Sequence, residues 1–156
     1  MIEQWQVDQF NEQGVLVVEQ VFSAEEIDAL QTAFGAWVEE SRQHNSAYGE
    51  TIDGRSRFDV DSDHSADHPS LRRIASPTEI SALYYQAACQ SRMSEIAAQL
   101  IGPAVRFHHS KINSKLPGTK TEVKWHQDFL FTPHTNDDLV TALLMVSEVT
   151  ADNGSL

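Results

Sequence analysis

Cysteine is nearly absent: Cys89 stands alone, so no disulfide can form within a monomer. It falls inside a helical pattern and reads as a small core residue. No Gly-x-Ser-x-Gly elbow and no Gly-x-x-x-x-Gly-Lys loop occur, which removes the usual signatures of serine hydrolases and P-loop nucleotide enzymes. Basic residues are scarce, 11 against 23 acidic, for a net charge of −12. A surface of that sign repels phosphate backbones and anionic lipid, so neither nucleic acid nor membrane is an expected partner. The most apolar run, residues 139–146, is far too short to span a bilayer. The opening MIEQWQVDQF is neither basic nor apolar enough for a signal peptide. The expected location is the cytoplasm.

What is present suffices for one core. Over 156 positions, 40% hydrophobic and 22% charged residues fit a single globular domain. A short helix is expected over residues 2–13, closed by Gly14, and a buried strand over 15–18. Ser23-Ala24-Glu25-Glu26 matches a capping box. It opens a helix to about Arg42 whose stripe of Ile27, Leu30, Phe34, Trp37 and Val38 reads as core packing. Residues 44–69 form a long polar connection with a short strand at 57–60. Helices follow over 78–89, after Pro77, and 91–101, stopped by Gly102-Pro103. Residues 106–116 read as a strand with neither face cleanly apolar, which fits a polar cavity wall or an exposed edge. Pro117-Gly118-Thr119 is a turn, 121–126 a strand, and 139–149 the strongest strand in the chain. Asp152-Asn153-Gly154 signals a hairpin, so Ser155-Leu156 would begin a returning strand.

The most informative stretch is Trp125-His126-Gln127-Asp128-Phe129. On a strand, residues two apart share a face with Cα atoms about 6–7 Å apart. An imidazole and a carboxylate converging in that way can form two corners of the 2-His-1-carboxylate site of non-haem Fe(II) oxygenases. The third corner must come from another histidine, and none follows His134. Chance alone supplies about one His-x-acid triplet in a chain with seven histidines and 23 acids. The plain alternative is a hydrogen-bonded His-Asp pair. A rival cluster, Asp61-Ser62-Asp63-His64-Ser65-Ala66-Asp67-His68, fails the calcium-loop pattern because Ala66 sits where glycine is required. It reads as a solvated acidic loop. Lys111 and Lys115 suit either the distal carboxylate of a small dicarboxylate or an edge strand guarded against aggregation.

Taken together, these residues resemble the phytanoyl-CoA dioxygenase family of Fe(II)/2-oxoglutarate oxygenases. The matching strings are HHSKINSKLPG and VKWHQDFLFTPHTNDDLVTALLMVSEVTADNGSL. Within them fall the His-Gln-Asp core, Pro133 seven residues after His126, Asp138-Leu139 and the terminal Asn-Gly-Ser-Leu. Phe10, Gly14 and Leu16-Val17-Val18, followed by a capped helix, extend the likeness over the whole chain.

The resemblance implies an α+β fold, a double-stranded β-helix of the jelly-roll or cupin-like kind. Residues 1–103 would be mainly helical cover, and 104–156 the first barrel strands with the His-x-Asp motif. It implies His126 and Asp128 as two of three iron ligands, with Lys111 and Leu144 along the 2-oxoglutarate pocket. Gln127 and Phe129 would point away. The cofactors implied are Fe(II), 2-oxoglutarate as cosubstrate and O2, acting on a small-molecule substrate. A carboxylate at Asp128 implies hydroxylation over halogenation. The family's distal histidine and its cosubstrate-gripping arginine do not occur in these 156 residues. The chain is therefore expected to be the N-terminal part of a longer protein, with an incomplete barrel and little turnover. His109 and His134 are the available substitute ligands. Two other readings stand beside the enzyme: a non-catalytic jelly-roll binding module, and a half-barrel that self-associates through an unpaired edge.

Overall fold

The computed structural model describes residues 1–119, 124–136 and 138–153. Helix α1, Gln4–Gln13, ends where Gly14 takes the left-handed conformation (φ 72°) and donates its N–H to the Phe10 carbonyl. Helix α2, Ala24–Ser41, opens on the expected capping box: Ser23 Oγ accepts from Glu26 N at 3.2 Å, and Glu26 Oε2 accepts from Ser23 N at 2.7 Å. Four strands follow the chain in order as an antiparallel meander: β1 (Tyr48–Ile52), β2 (Arg55–Val60), β3 (Leu71–Ala75) and β4 (Lys111–Asn113). Between β3 and β4 lie α3 (Pro77–Ile80), α4 (Ala82–Cys89) and α5 (Arg92–Ile101).

One face of the sheet carries the core. Phe58, Leu71 and Ile74 are buried, and Phe34, Trp37 and Val38 of α2 pack on them with Tyr48, Val60 and Ile112. The α2 stripe thus does the packing its spacing predicts. Strand alternation then turns Asp59, Arg73, Lys111 and Asn113 to the opposite face. The sheet is α2-covered and apolar on one side, polar on the other. Among the described residues it is not closed into a barrel.

The β1–β2 hairpin occupies what reads as a long connection. Its turn residues Asp53 and Gly54 both have positive φ (49° and 77°), as a two-residue primed turn demands. Gly49 is required for a second reason. At φ 84° beside the β1 bulge, a Cβ would lie 2.9 Å from the Phe58 ring. The ring it would strike stacks on Tyr48 at 4.7 Å.

Several expected elements differ. The helix over 78–89 is split at Ser81, which is extended and caps α4 with its hydroxyl on Tyr84 N. Residues 15–18 form no strand; Val15 and Val17 are exposed. Only Lys111–Asn113 of the expected 106–116 strand is paired. Residues 124–127 are irregular, and a 3₁₀ turn follows over Asp128–Leu130. The remainder of the expected 121–126 strand, residues 121–123, lies outside the described residues. The 139–149 segment is not a strand either. It is tied to α2 by Gln31 Nε2 donating to the Val146 carbonyl at 2.6 Å. Each of these runs has β-forming side chains, but a strand exists only where a neighbour completes its ladder. Among the described residues the ladder ends at β4. The Asp152-Asn153 turn does form, with Asn153 N on the Thr150 carbonyl. Gly154, Ser155 and Leu156 are not among the described residues. No helix among those residues is long and apolar enough to cross a membrane.

Candidate metal centre

The structure brings His126 and Asp128 together without the strand expected to do it. The 3₁₀ turn supplies the geometry. Phe131 N and Thr132 N donate to the Asp128 carbonyl at 2.9 and 3.0 Å, and Thr132 Oγ1 adds a third bond at 3.1 Å. With the Asp128 backbone fixed, its Oδ1 lies 3.3 Å from His126 Nε2. Its Oδ2 lies 3.4 Å from Thr141 Oγ1, which donates to it. The His126 ring stands edge-on to Phe131, 5.6 Å between centroids.

The hydrogen bonding sets the chemistry of the pair. His126 Nδ1 lies 2.7 Å from the Lys124 carbonyl, which can only accept. Nδ1 therefore carries the proton, and in neutral imidazole Nε2 carries the lone pair. That lone pair faces a carboxylate oxygen, which is also an acceptor. Two acceptors converge, and a cation between them satisfies both: a proton on Nε2 or a metal ion. Metal-bound histidines carry the same ring N–H to carbonyl bond. A separation of 3.3 Å is close to the ~3 Å between neighbouring donors of a divalent ion bound at about 2.0–2.2 Å. The donor set fits a metal. Among the described residues, no third His, Cys, Asp or Glu joins them in a metal-holding group.

Among the described residues neither proposed substitute joins the pair in a metal-holding group. His134 Nδ1 bonds the Thr132 carbonyl at 2.8 Å, and its ring packs edge-on to Phe129. His109 Nδ1 lies 2.7 Å from His108 Nδ1, so one ring donates to the other. Burial first, then His108 and Lys111, hold the His109 imidazole below its ordinary value; the charges of Asp128 and Asp53 oppose this. Lys111, Asp53 and Asp128 are thus all felt at one ring. A folded-state value below the unfolded one means that folding prefers neutral His109. Its contribution is present above about pH 6.5 and is lost as pH falls through the depressed value. An NMR titration of the His109 ring protons is expected to show this depression. Asp128→Asn should deepen it, and an unchanged midpoint in that variant would mean the two groups are not neighbours.

Lys111 is exposed on the polar face of the sheet, and Leu144 is half-buried three residues beyond Thr141. Gln127 is exposed, and Phe129 turns to His134. The rival cluster resolves otherwise. His64 is a staple: Nδ1 accepts from Ser70 N at 2.9 Å, and Nε2 faces the Ser41 and His44 carbonyls at 3.0 and 3.1 Å. Both ring nitrogens are used in joining the loop to the end of α2. Asp63, Asp67 and His68 around it are exposed. Cys89 is half-buried, and burial raises its thiol above the ordinary value, the reverse of an activated nucleophile. A cleft of ≈ 240 Å³ between α2 and α4, lined by Phe22, Glu26, Leu30 and Leu83, is separate from the pair.

Two features were missed in the sequence. Thr141 has no local signal, since its partner lies in a different segment. The second was open to view: all four lysines, Lys111, Lys115, Lys120 and Lys124, fall between positions 111 and 124 of a chain with net charge −12.

A family model for Phytanoyl-CoA dioxygenase matches residues 10–156. A probable alpha-ketoglutarate-dependent hypophosphite dioxygenase of Stutzerimonas stutzeri is 29% identical over 153 residues, covering 95% of this chain and 49% of the relative. An ectoine dioxygenase of Sphingopyxis alaskensis is 30% identical over 156 residues, covering 94% and 45%. A second ectoine dioxygenase, from Stutzerimonas stutzeri, is 28% identical over 123 residues, covering 79% and 36%. The chain therefore spans about half the length of the first two curated relatives it matches, and less of the third. With nearly every residue inside the match and the converging donors in place, the chain belongs to the phytanoyl-CoA dioxygenase family.

Proposed function

We propose that this chain carries the metal-binding part of an Fe(II)/2-oxoglutarate-dependent dioxygenase that hydroxylates a small organic substrate. The observation that carries the reading is the pair of facing acceptors, His126 Nε2 and Asp128 Oδ1, 3.3 Å apart. In this reading the polar face of the sheet is an inner wall of a double-stranded β-helix, the architecture of the family. His126 and Asp128 hold the ion. Fe(II), when bound, supplies oxygen-activating chemistry together with 2-oxoglutarate and O2. The remaining work belongs to the protein. The Lys124 carbonyl fixes the His126 tautomer, the 3₁₀ turn fixes Asp128, and Phe131 limits the ring's rotation. Lys111, exposed within the lysine-rich segment, attracts a dianionic cosubstrate. Leu144 offers an apolar wall to its chain. The relatives are named for hypophosphite and ectoine, both small molecules, and of these ectoine is organic, as the substrate proposed here is. The test is anaerobic titration with Fe(II), or with Co(II) as its air-stable stand-in. Saturable binding lost in His126→Ala supports the reading, and identical isotherms for the two chains refute it.

One observation favours a second reading, association through the open edge. Among the described residues, nine of the fifteen exposed large hydrophobics lie at or beyond Val105, among them Trp125 at 90% and Leu130 at 78% exposure. β4 is also, among the described residues, an edge strand, and an apolar surface beside such an edge invites a second copy. Sedimentation is expected to show concentration-dependent self-association. A single monomeric species across the accessible range would dismiss it.

A further inference from the structure

We infer that Thr141 is a positioning residue that makes Asp128 a one-oxygen ligand; the inference rests on the metal-binding reading above. A carboxylate offers two equivalent oxygens, and its terminal torsion is soft. Nothing in the 3₁₀ turn decides which oxygen meets an ion, because that turn fixes only the Asp128 backbone. The side chain is decided from outside. Oδ2 accepts from Thr141 Oγ1 at 3.4 Å, while Oδ1 is presented to His126 Nε2 at 3.3 Å. Thr141 lies 13 residues further along the chain. Its segment is held to α2 by the Gln31–Val146 bond, so the carboxylate's rotation is referred to the helical layer. An oxygen engaged by a hydroxyl is a poorer second donor to the metal. An ion held there would take one oxygen from Asp128 and leave the rest of its coordination to other groups.

The experiment is Co(II) titration of the full chain, read by calorimetry and by the visible d–d spectrum, for wild type, Thr141→Val and Thr141→Ser. Thr141 is exposed, and thermal melts check that each variant folds. Valine keeps the shape and removes the hydroxyl. It is expected to weaken Co(II) binding about tenfold, at the low end for a residue acting behind a ligand, and to change the spectrum as the second carboxylate oxygen joins. Serine restores the hydroxyl and is expected to restore both affinity and spectrum. If valine matches wild type in both, or if serine is as weak as valine, the hydroxyl is not the cause and the inference falls while metal binding stands. If wild type itself takes up no Co(II), the metal reading falls and carries this inference with it.

Discussion

Replacing His126 by alanine is expected to abolish measurable binding of a divalent transition metal. The argument is one of donor count. Among the described residues two protein donors converge, so removing one leaves a single partly exposed carboxylate, Asp128, with 44% of its side chain open to solvent. A lone surface carboxylate competes poorly with water for such an ion. Removing a residue that only supports a ligand costs about 10–100-fold in affinity, and loss of the ligand itself should exceed that. His126→Gln sharpens the test, because it keeps polarity and bulk while losing the imidazole lone pair. Asp128→Asn removes the charge and leaves the 3₁₀ turn, whose bonds run to the Asp128 backbone carbonyl. All three are expected to leave the fold unchanged, since His126 and Asp128 lie outside the buried core. Wild-type affinity in any of the three would transfer the site to other residues.

The largest stability effect is expected at a distance, at Arg57. Its side chain is 4% exposed, yet it makes four bonds. Nη1 donates to the Ala75 and Ser76 carbonyls at 3.1 and 2.8 Å, and Nη2 to Glu50 and Glu79 at 2.9 and 2.7 Å. Burial opposes the charge, but the bonds to Glu79 and Glu50 outweigh it and hold the guanidinium above its ordinary value. Arg57 closes the end of β3, where Ser76 adopts a left-handed φ of 48° and donates its N–H to the Ser110 carbonyl. That bond sets the start of β4 and so the position of Lys111. Arg57→Ala strands two carbonyls and two carboxylates. The carboxylates are 72% and 55% exposed and rehydrate. The cost is therefore about 2–4 kcal/mol, below the 3–5 of a wholly buried pair. Thermal unfolding should fall by about 5–15 °C. A lysine cannot span four acceptors in two directions, so Arg57→Lys should recover little. A melt within 2 °C of wild type in the alanine variant (on the order of 1 kcal/mol or less) would show that the network is ornamental.

Both sites illustrate what a linear reading can reach. α1, α2 and α5 were legible because their stop and start signals are local: Gly14, the Ser23–Glu26 box, and Ser91 before Gly102. The β1–β2 hairpin carried a local signal too, Asp53-Gly54, but Glu50, Arg55 and Arg57 around it masked the strand pattern. β3 hides behind Arg72 and Arg73, and a register shift at Asp59–Val60 puts its buried Leu71 and Ile74 three apart, a spacing that does not read as a strand. The expected strand over 139–149, and residues 124–126 at the end of the one expected over 121–126, show the converse. Side-chain preference for extended structure is a property of the segment, whereas pairing is a property of its neighbour. His126 and Asp128 were legible because a spacing of two keeps them close in strand and turn alike. Thr141 and Arg57 were not, because each acts on groups far along the chain.

The meander has a consequence in time. Its first three strands run in chain order, each pairing with the one made just before it, and α2 directly precedes them. Pairing between consecutive strands closes only short loops, which favours early formation. At a ribosomal rate of about 5–20 residues per second, α2 with β1–β3 can collapse seconds before His126 is synthesised. The layer of α2 and the first three strands would then be in place before His126 and Asp128 are made.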